Sequence, residues 1–279
     1  MAGRLSNSWT LVKASADVLR LDKELMVFPL LSGIATVLVT ASFFVPVVAL
    51  GGLEVLARED GSYLGYALGF AYYLVLYTVM FFFNSALVGA ALIRLDGGDP
   101  TVSDGLAIAS KRMGAIVGYA AVAATVGMVL RAISERSGIV GRIVVGLVGM
   151  AWTLATYLAV PVLVTRDVGP IDAVKESAAL FKKTWGEQVA GNFGMGWAMV
   201  MAGLSWGLVS VLVIVVMAQI SPALVLAAVA VAVLGFVFLA LLASALKGIY
   251  TAALYRYAVS GETGFFDDDM VARAFSPRR

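Results

Sequence analysis

The sequence predicts an all-α fold: a polytopic membrane helical bundle of six transmembrane helices, with amphipathic helices on its cytoplasmic surface. Three observations predict it. The 279 residues are 61% hydrophobic and only 14% charged, whereas a soluble domain carries about 25% charged residues. Charge is absent from Leu25 to Leu53, Gly61 to Ile93, Met113 to Leu130, Ile143 to Thr165 and Gln188 to Leu246. A helix needs ~20 apolar residues to cross ~30 Å of hydrocarbon, and each stretch reaches or approaches that length. The third observation is that lysine and arginine crowd into alternate connections.

The predicted spans lie near residues 25–50, 65–93, 113–133, 141–165, 190–218 and 222–247, in a single transmembrane domain over residues 1–260 with a cytoplasmic tail over 261–279. The first begins behind a charged segment and is too long for a signal h-region, so it is read as retained. The last charge-free stretch holds two spans, divided at "AQISPAL", where Pro222 cannot donate a backbone hydrogen bond. Pro46 and Pro161 each free a carbonyl and are expected to bend the first and fourth helices. Pairs such as Gly65/Gly69, Gly114/Gly118 and Gly203/Gly207 let helix backbones approach closely, which argues for a tight bundle.

Orientation follows from the basic residues. Fifteen lie before the first span, in the second and fourth connections and in the tail; Arg58, Arg131, Arg136 and Arg142 lie on the other side, and Lys247 belongs to neither group. Such bias sets topology, so both termini are expected in the cytoplasm, with the protein in the cell membrane.

A short helical pattern precedes each odd-numbered span: Trp9, Val12, Ala16 and Leu19; then Val102, Leu106, Ala109 and Met113; then Ile171, Val174, Ala178, Phe181 and Trp185. Spacings of three and four put each set on one helix face. "DPTVSD" offers Asp99 or Thr101 as a cap, and "GPID" opens the third helix at Pro170. "VKAS" at Val12 and "VKES" at Val174 match almost residue for residue. The chain therefore reads as three units of one surface helix and one hairpin, repeated in the same orientation. The surface helices are expected to act as struts or to bind lipid. In the lipid-binding case Trp9, Phe181 and Trp185 face the acyl boundary, and Lys13, Lys182 and Lys183 reach toward anionic headgroups.

The blocks "SNSWTLVKAS", "FFFNSALVGAALIRLDGGDPT", "AATVGMVLRAI", "AWTLATYLAVPVLV" and "ESAALFKKTWGE" resemble those of a family of uncharacterised prokaryotic multi-pass membrane proteins. The likeness covers most of residues 4–200; the last two spans and the tail are too generic to match. It implies a six-span fold and no particular chemistry.

Cysteine and histidine are absent, so thiol chemistry, the common zinc sites and an imidazole base are excluded. The predicted spans hold no acid, and no catalytic, metal or cofactor set emerges. Ser244 and Lys247 have the spacing of a serine–lysine pair, but Lys247 falls where the sixth span should end and reads as a snorkelling residue. One polar feature stands out. Tyr66, Tyr73, Tyr77 and Asn84 share a face of the second span, with Phe82, Ala86 and Ile93 opposite. An amide in hydrocarbon is costly, so this stripe is expected to face the bundle, with Asn84 bonded to Thr125, Thr153 or another helix. Two function classes fit: a non-enzymatic module that binds lipid, a protein partner or a second copy of itself, and a small transporter or channel with a polar path along the second span. Basic residues scattered beside a membrane point to lipid, not nucleic acid.

Overall fold

The computed structural model describes residues 15–49, 63–185 and 194–260. Nine α-helices follow one another among them: α1 (Val27–Ala49), α2 (Tyr63–Leu95), α3 (Val102–Lys111), α4 (Met113–Arg136), α5 (Ile139–Ala155), α6 (Ala159–Thr165), α7 (Pro170–Trp185), α8 (Gly194–Ala218) and α9 (Pro222–Ser260). Residues 15–21 are also helical, and a 3-10 turn over Lys23–Met26 leads into α1. Six helical stretches are long and apolar enough to cross a membrane: Lys23–Ala49, Gly65–Leu95, Met113–Arg136, Ile139–Thr165, Gly196–Ala218 and Pro222–Ser260. The molecule is an all-helical membrane bundle. Trp9 and Lys13, which opened the first predicted surface helix, lie outside the described residues, as does the tail.

Residues 15–21, α3 and α7 sit at one end of the bundle and form a collar around it. There α2 is the central helix, packed against α1, α3, α4, α6 and α9. The collar is knitted by polar contacts. Thr101 caps α3 through a reciprocal capping box: its Oγ1 accepts from the Asp104 N–H at 3.2 Å, while the Asp104 carboxylate accepts from the Thr101 N–H at 2.9 Å. The Glu24 carboxylate accepts from the Val102 N–H at 3.0 Å, so the chain before α1 satisfies a second orphan donor of α3. Arginines at the ends of the second, fourth and sixth spans close the ring. Arg94 donates to the Leu21 and Gly98 carbonyls and pairs with Asp99. Arg166 pairs with Glu176 and donates to Tyr255, and Arg256 pairs with Asp96 and donates to the Leu95 carbonyl.

The surface helices are more deeply embedded than their spacing suggested. In α3, Gly105 lies against α1 and α2: a Cβ there would fall 2.5 Å from the Phe28 ring and 2.7 Å from the Ala86 carbonyl oxygen. Only glycine permits that approach. In α7 the buried face is Ala173, Ser177 and Phe181, while Ile171 of the expected stripe is exposed. Phe181 is only 9% exposed and packs on Tyr157 with ring centroids 6.3 Å apart, so it contacts protein instead of acyl chains. The cause is geometric: α7 docks in the notch left by the break in the fourth span. Lys182 is exposed as expected; Lys183 and Trp185 belong to α7, and their side chains lie outside the described part.

That break lies between α5 and α6. Pro161 has no N–H and its ring crowds the carbonyl four residues earlier, at Tyr157, which ends the regular ladder there. Thr156–Leu158 form a turn, and the buried Leu158 N–H is taken by the Ser177 hydroxyl of α7 at 2.9 Å. The sixth span also departs from expectation. Its helix continues past Lys247 to Ser260, and Ile249, Thr251–Tyr255 and Ala258 are buried in the collar.

Candidate functional site

The tyrosine–asparagine stripe of α2 is divided among three surroundings. Tyr66 is 62% exposed near the far end. Tyr73 accepts a hydrogen bond from Arg131 of α4 at 3.1 Å. Tyr77 stands in an aromatic ladder, 6.0 Å from Tyr73 and 5.9 Å from Phe81, which in turn lies 4.6 Å from Tyr119 of α4. These rings fill the seam between α2 and α4, so the stripe does not line one continuous path. Nor is the opposite face turned outward at the collar, because α3 covers it: Ser85 to Ala91 are all buried.

Asn84 lines a cavity that Tyr66, Tyr73 and Tyr77 do not reach. Its side chain is exposed and, among the described residues, makes no hydrogen bond; Thr125 and Thr153, the expected partners, donate instead to the Ala121 and Gly149 carbonyls of their own helices. Thr153 nevertheless shares the cavity with Asn84, while Thr125 does not. The space measures about 360 Å³ and lies between α1, α2, α4, the broken fourth span and α9. This falls in the range of small-molecule sites, about 300–1,000 Å³. Its polar groups are Asn84, Ser32, Thr153, Thr156, Ser244, Lys247 and Thr251, with Tyr119 and Tyr157; Phe28, Met80, Phe83, Leu87 and Val160 supply apolar wall.

Each helix contributes for a local reason. Thr156 and Thr251 donate to the carbonyls of Trp152 and Lys247, both at i−4, so their oxygens still have lone pairs to offer. Gly248 lets α9 pack closely on α2, since a Cβ there would lie 2.3 Å from Leu87 Cδ2; Asn84 Oδ1 would be 3.8 Å away. Lys247 is exposed into this space, and its place is not at the exit of a span. It lies 13 residues before the end of α9, roughly 20 Å at ~1.5 Å per residue. Sequence reasoning missed the group because hydropathy marks a lone lysine as a boundary. The signal was in the spacing: Ser244, Lys247 and Thr251 recur at three and four on one face.

Among the described residues, no member of the cavity lining is an acid. The site therefore offers one cation, amide and hydroxyl donors and acceptors, and aromatic wall, without paired carboxylates for acid–base chemistry.

A profile for a family of unknown function (DUF6159) matches residues 63–265. The chain belongs to that family. The match extends through the last two spans, which the sequence blocks had left unmatched, and begins after α1. No curated protein and no solved structure matches the chain. The DUF6159 match thus includes the α2, α4, α5, α6 and α9 walls of the cavity and assigns them no activity.

Proposed function

We propose that this DUF6159 protein is a non-enzymatic membrane module that binds an amphiphile of the bilayer in the cavity between its second, fourth and sixth spans. The observation that carries this reading is the cavity itself: a polar pocket at the depth of membrane-spanning helices, with apolar wall on the same helices. A path along the second span is disfavoured, because the ladder from Tyr73 to Tyr119 packs the space where it would run. The test is to purify the full chain in detergent and weigh the retained lipid by native mass spectrometry. Ser244→Phe places a ring in the cavity and is expected to abolish retention at an unchanged melting temperature. Undiminished retention by this variant would overturn the reading.

The module is further proposed to sit in the cell membrane with the collar and both termini in the cytoplasm. The support is the fifteen-to-four division of lysine and arginine. The chain has no cysteine, so single thiols report without background. Glu59→Cys should react with an impermeant reagent on intact cells and Ser103→Cys should not; the opposite pattern reverses the orientation.

A further inference from the structure

The cavity has a floor and a mouth. Toward the collar its lining is buried, at Phe28 of α1, Leu87 of α2, Val160 of α6 and Gly248 and Thr251 of α9. Away from the collar it is exposed, at Met80 of α2, Thr153 of α5 and Ser244 of α9. The exposed apolar belt of these helices begins at the same level: Met80, Met150 and Phe238 are its first large members on that side of the cavity. The mouth therefore meets hydrocarbon, and the collar core closes the route from the aqueous end. A ligand that enters by this mouth needs an apolar body to lie along the belt. Its polar head must fit in about 360 Å³, room for a headgroup and not for acyl chains.

Lys247 fixes the charge of that head. It is exposed in the cavity and, among the described residues, forms no ion pair; the seven pairs involve other side chains. A cation beside hydrocarbon is costly until it meets an anion. The ammonium has three N–H donors, the Asn84 amide adds two and the Ser244 hydroxyl one, a set suited to the several oxygens of one anionic group.

We infer that Lys247, with Asn84 and Ser244, is an anion-binding site for the phosphate or carboxylate headgroup of a membrane amphiphile, whose chains lie along the exposed flanks of α5 and α9. This deepens the amphiphile-binding reading and rests on it. A merely snorkelling Lys247 would confer no headgroup preference.

The experiment uses the full chain in nanodiscs of phosphatidylcholine with a minor fraction of phosphatidylglycerol, followed by detergent extraction and native mass spectrometry of retained lipid. The wild type is expected to retain phosphatidylglycerol in about tenfold excess over its share, the equivalent of one charge-assisted hydrogen bond. Lys247→Met should lose the excess yet still hold phosphatidylcholine, and Lys247→Arg should keep it. Asn84→Asp, which sets a carboxylate against the incoming anion, should also lose it, and each variant's melting temperature confirms folding. An undiminished excess in Lys247→Met overturns the inference. So does displacement of phosphatidylglycerol by millimolar inorganic phosphate alone, which would make a free anion the ligand. Retention of phosphatidylcholine without any preference in the wild type defeats the anion site and leaves amphiphile binding standing; retention of neither lipid defeats the amphiphile reading itself.

Discussion

The collar end and the far end of the bundle are built on different terms. At the collar, α2 is surrounded by protein, and ion pairs, the contact of Glu24 with α3 and the buried Ser177 hydroxyl tie neighbouring elements together. At the far end, α5, α8 and the first half of α9 present rows of exposed valine, leucine and isoleucine. The polar cross-ties seen there among the described residues include Tyr73 with Arg131, Thr40 with Tyr72, and the Trp206 indole N–H on the Ala232 carbonyl at 3.0 Å. In lipid the far end gains little by burying its side chains, because hydrocarbon solvates them as well as protein does. The collar end holds polar groups and helix termini that must find partners within the protein. Cohesion is thus concentrated at one end, and the cavity lies where the two regimes meet.

The sharpest break in this contrast is Gly105→Leu. The new side chain would meet the Phe28 ring and the Ala86 carbonyl, so α3 must lift from the bundle. Stability should fall by about 3 kcal/mol, read as a lower melting temperature in detergent. Ser177→Ala is next. It removes the partner of the buried Leu158 N–H, and an orphaned donor costs about 1–3 kcal/mol. Hydrogen exchange at Leu158 should rise with it.

Acid sharpens the comparison within the collar. Burial raises the Asp22 carboxyl above its ordinary value of 3.8, despite a backbone hydrogen bond and the nearby Arg94 charge. A raised value means that the folded chain keeps a proton the unfolded chain has lost, so Asp22 adds stability as pH falls through that window. Hydrogen bonds with Thr101 lower Asp104 below 3.8, and its contribution runs the other way, lost as pH drops through its folded value. In Asp22→Asn only the second effect remains. The variant carries no penalty for a buried charge, so it should be more stable than the wild type at neutral pH and converge with it on acidification toward pH ~3; a parallel profile would remove Asp22 from the balance. The smallest effect belongs to the far end. Tyr73→Phe breaks the tie to Arg131 at an exposed site and should change stability by about 0.5 kcal/mol or less. A loss as large as that of Ser177→Ala would mean that the far end is not loosely held.

Much of this architecture was legible in the residues. Charge-free runs locate helices because a bilayer imposes length and apolarity on every span. Thr101 with Asp104, Pro170 and Pro161 announce two helix starts and one break, since each acts within a turn of itself. What stayed hidden depends on distant partners. The spacing of α7 suggested a lipid-facing stripe with Phe181 in it, yet the notch at the fourth span rotates the buried face to Ala173, Ser177 and Phe181. Asn84 was visible as an oddity, but its cavity requires Lys247, 163 residues away along the chain. Lys247 looked like the end of a span because thirteen further helical residues are shielded by the collar instead of by lipid.

The Leu158–Ser177 bond also has a bearing on order in time. A ribosome completes the fourth span at Thr165 while the hydroxyl that closes its backbone ladder, 19 residues beyond Leu158, has still to be made. Until α7 arrives, that amide must borrow water or leave the turn unpaired, so the segment cannot settle in its final shape as it enters the bilayer. Insertion and completion are separate events for this span, and the second waits on a helix that never crosses the membrane.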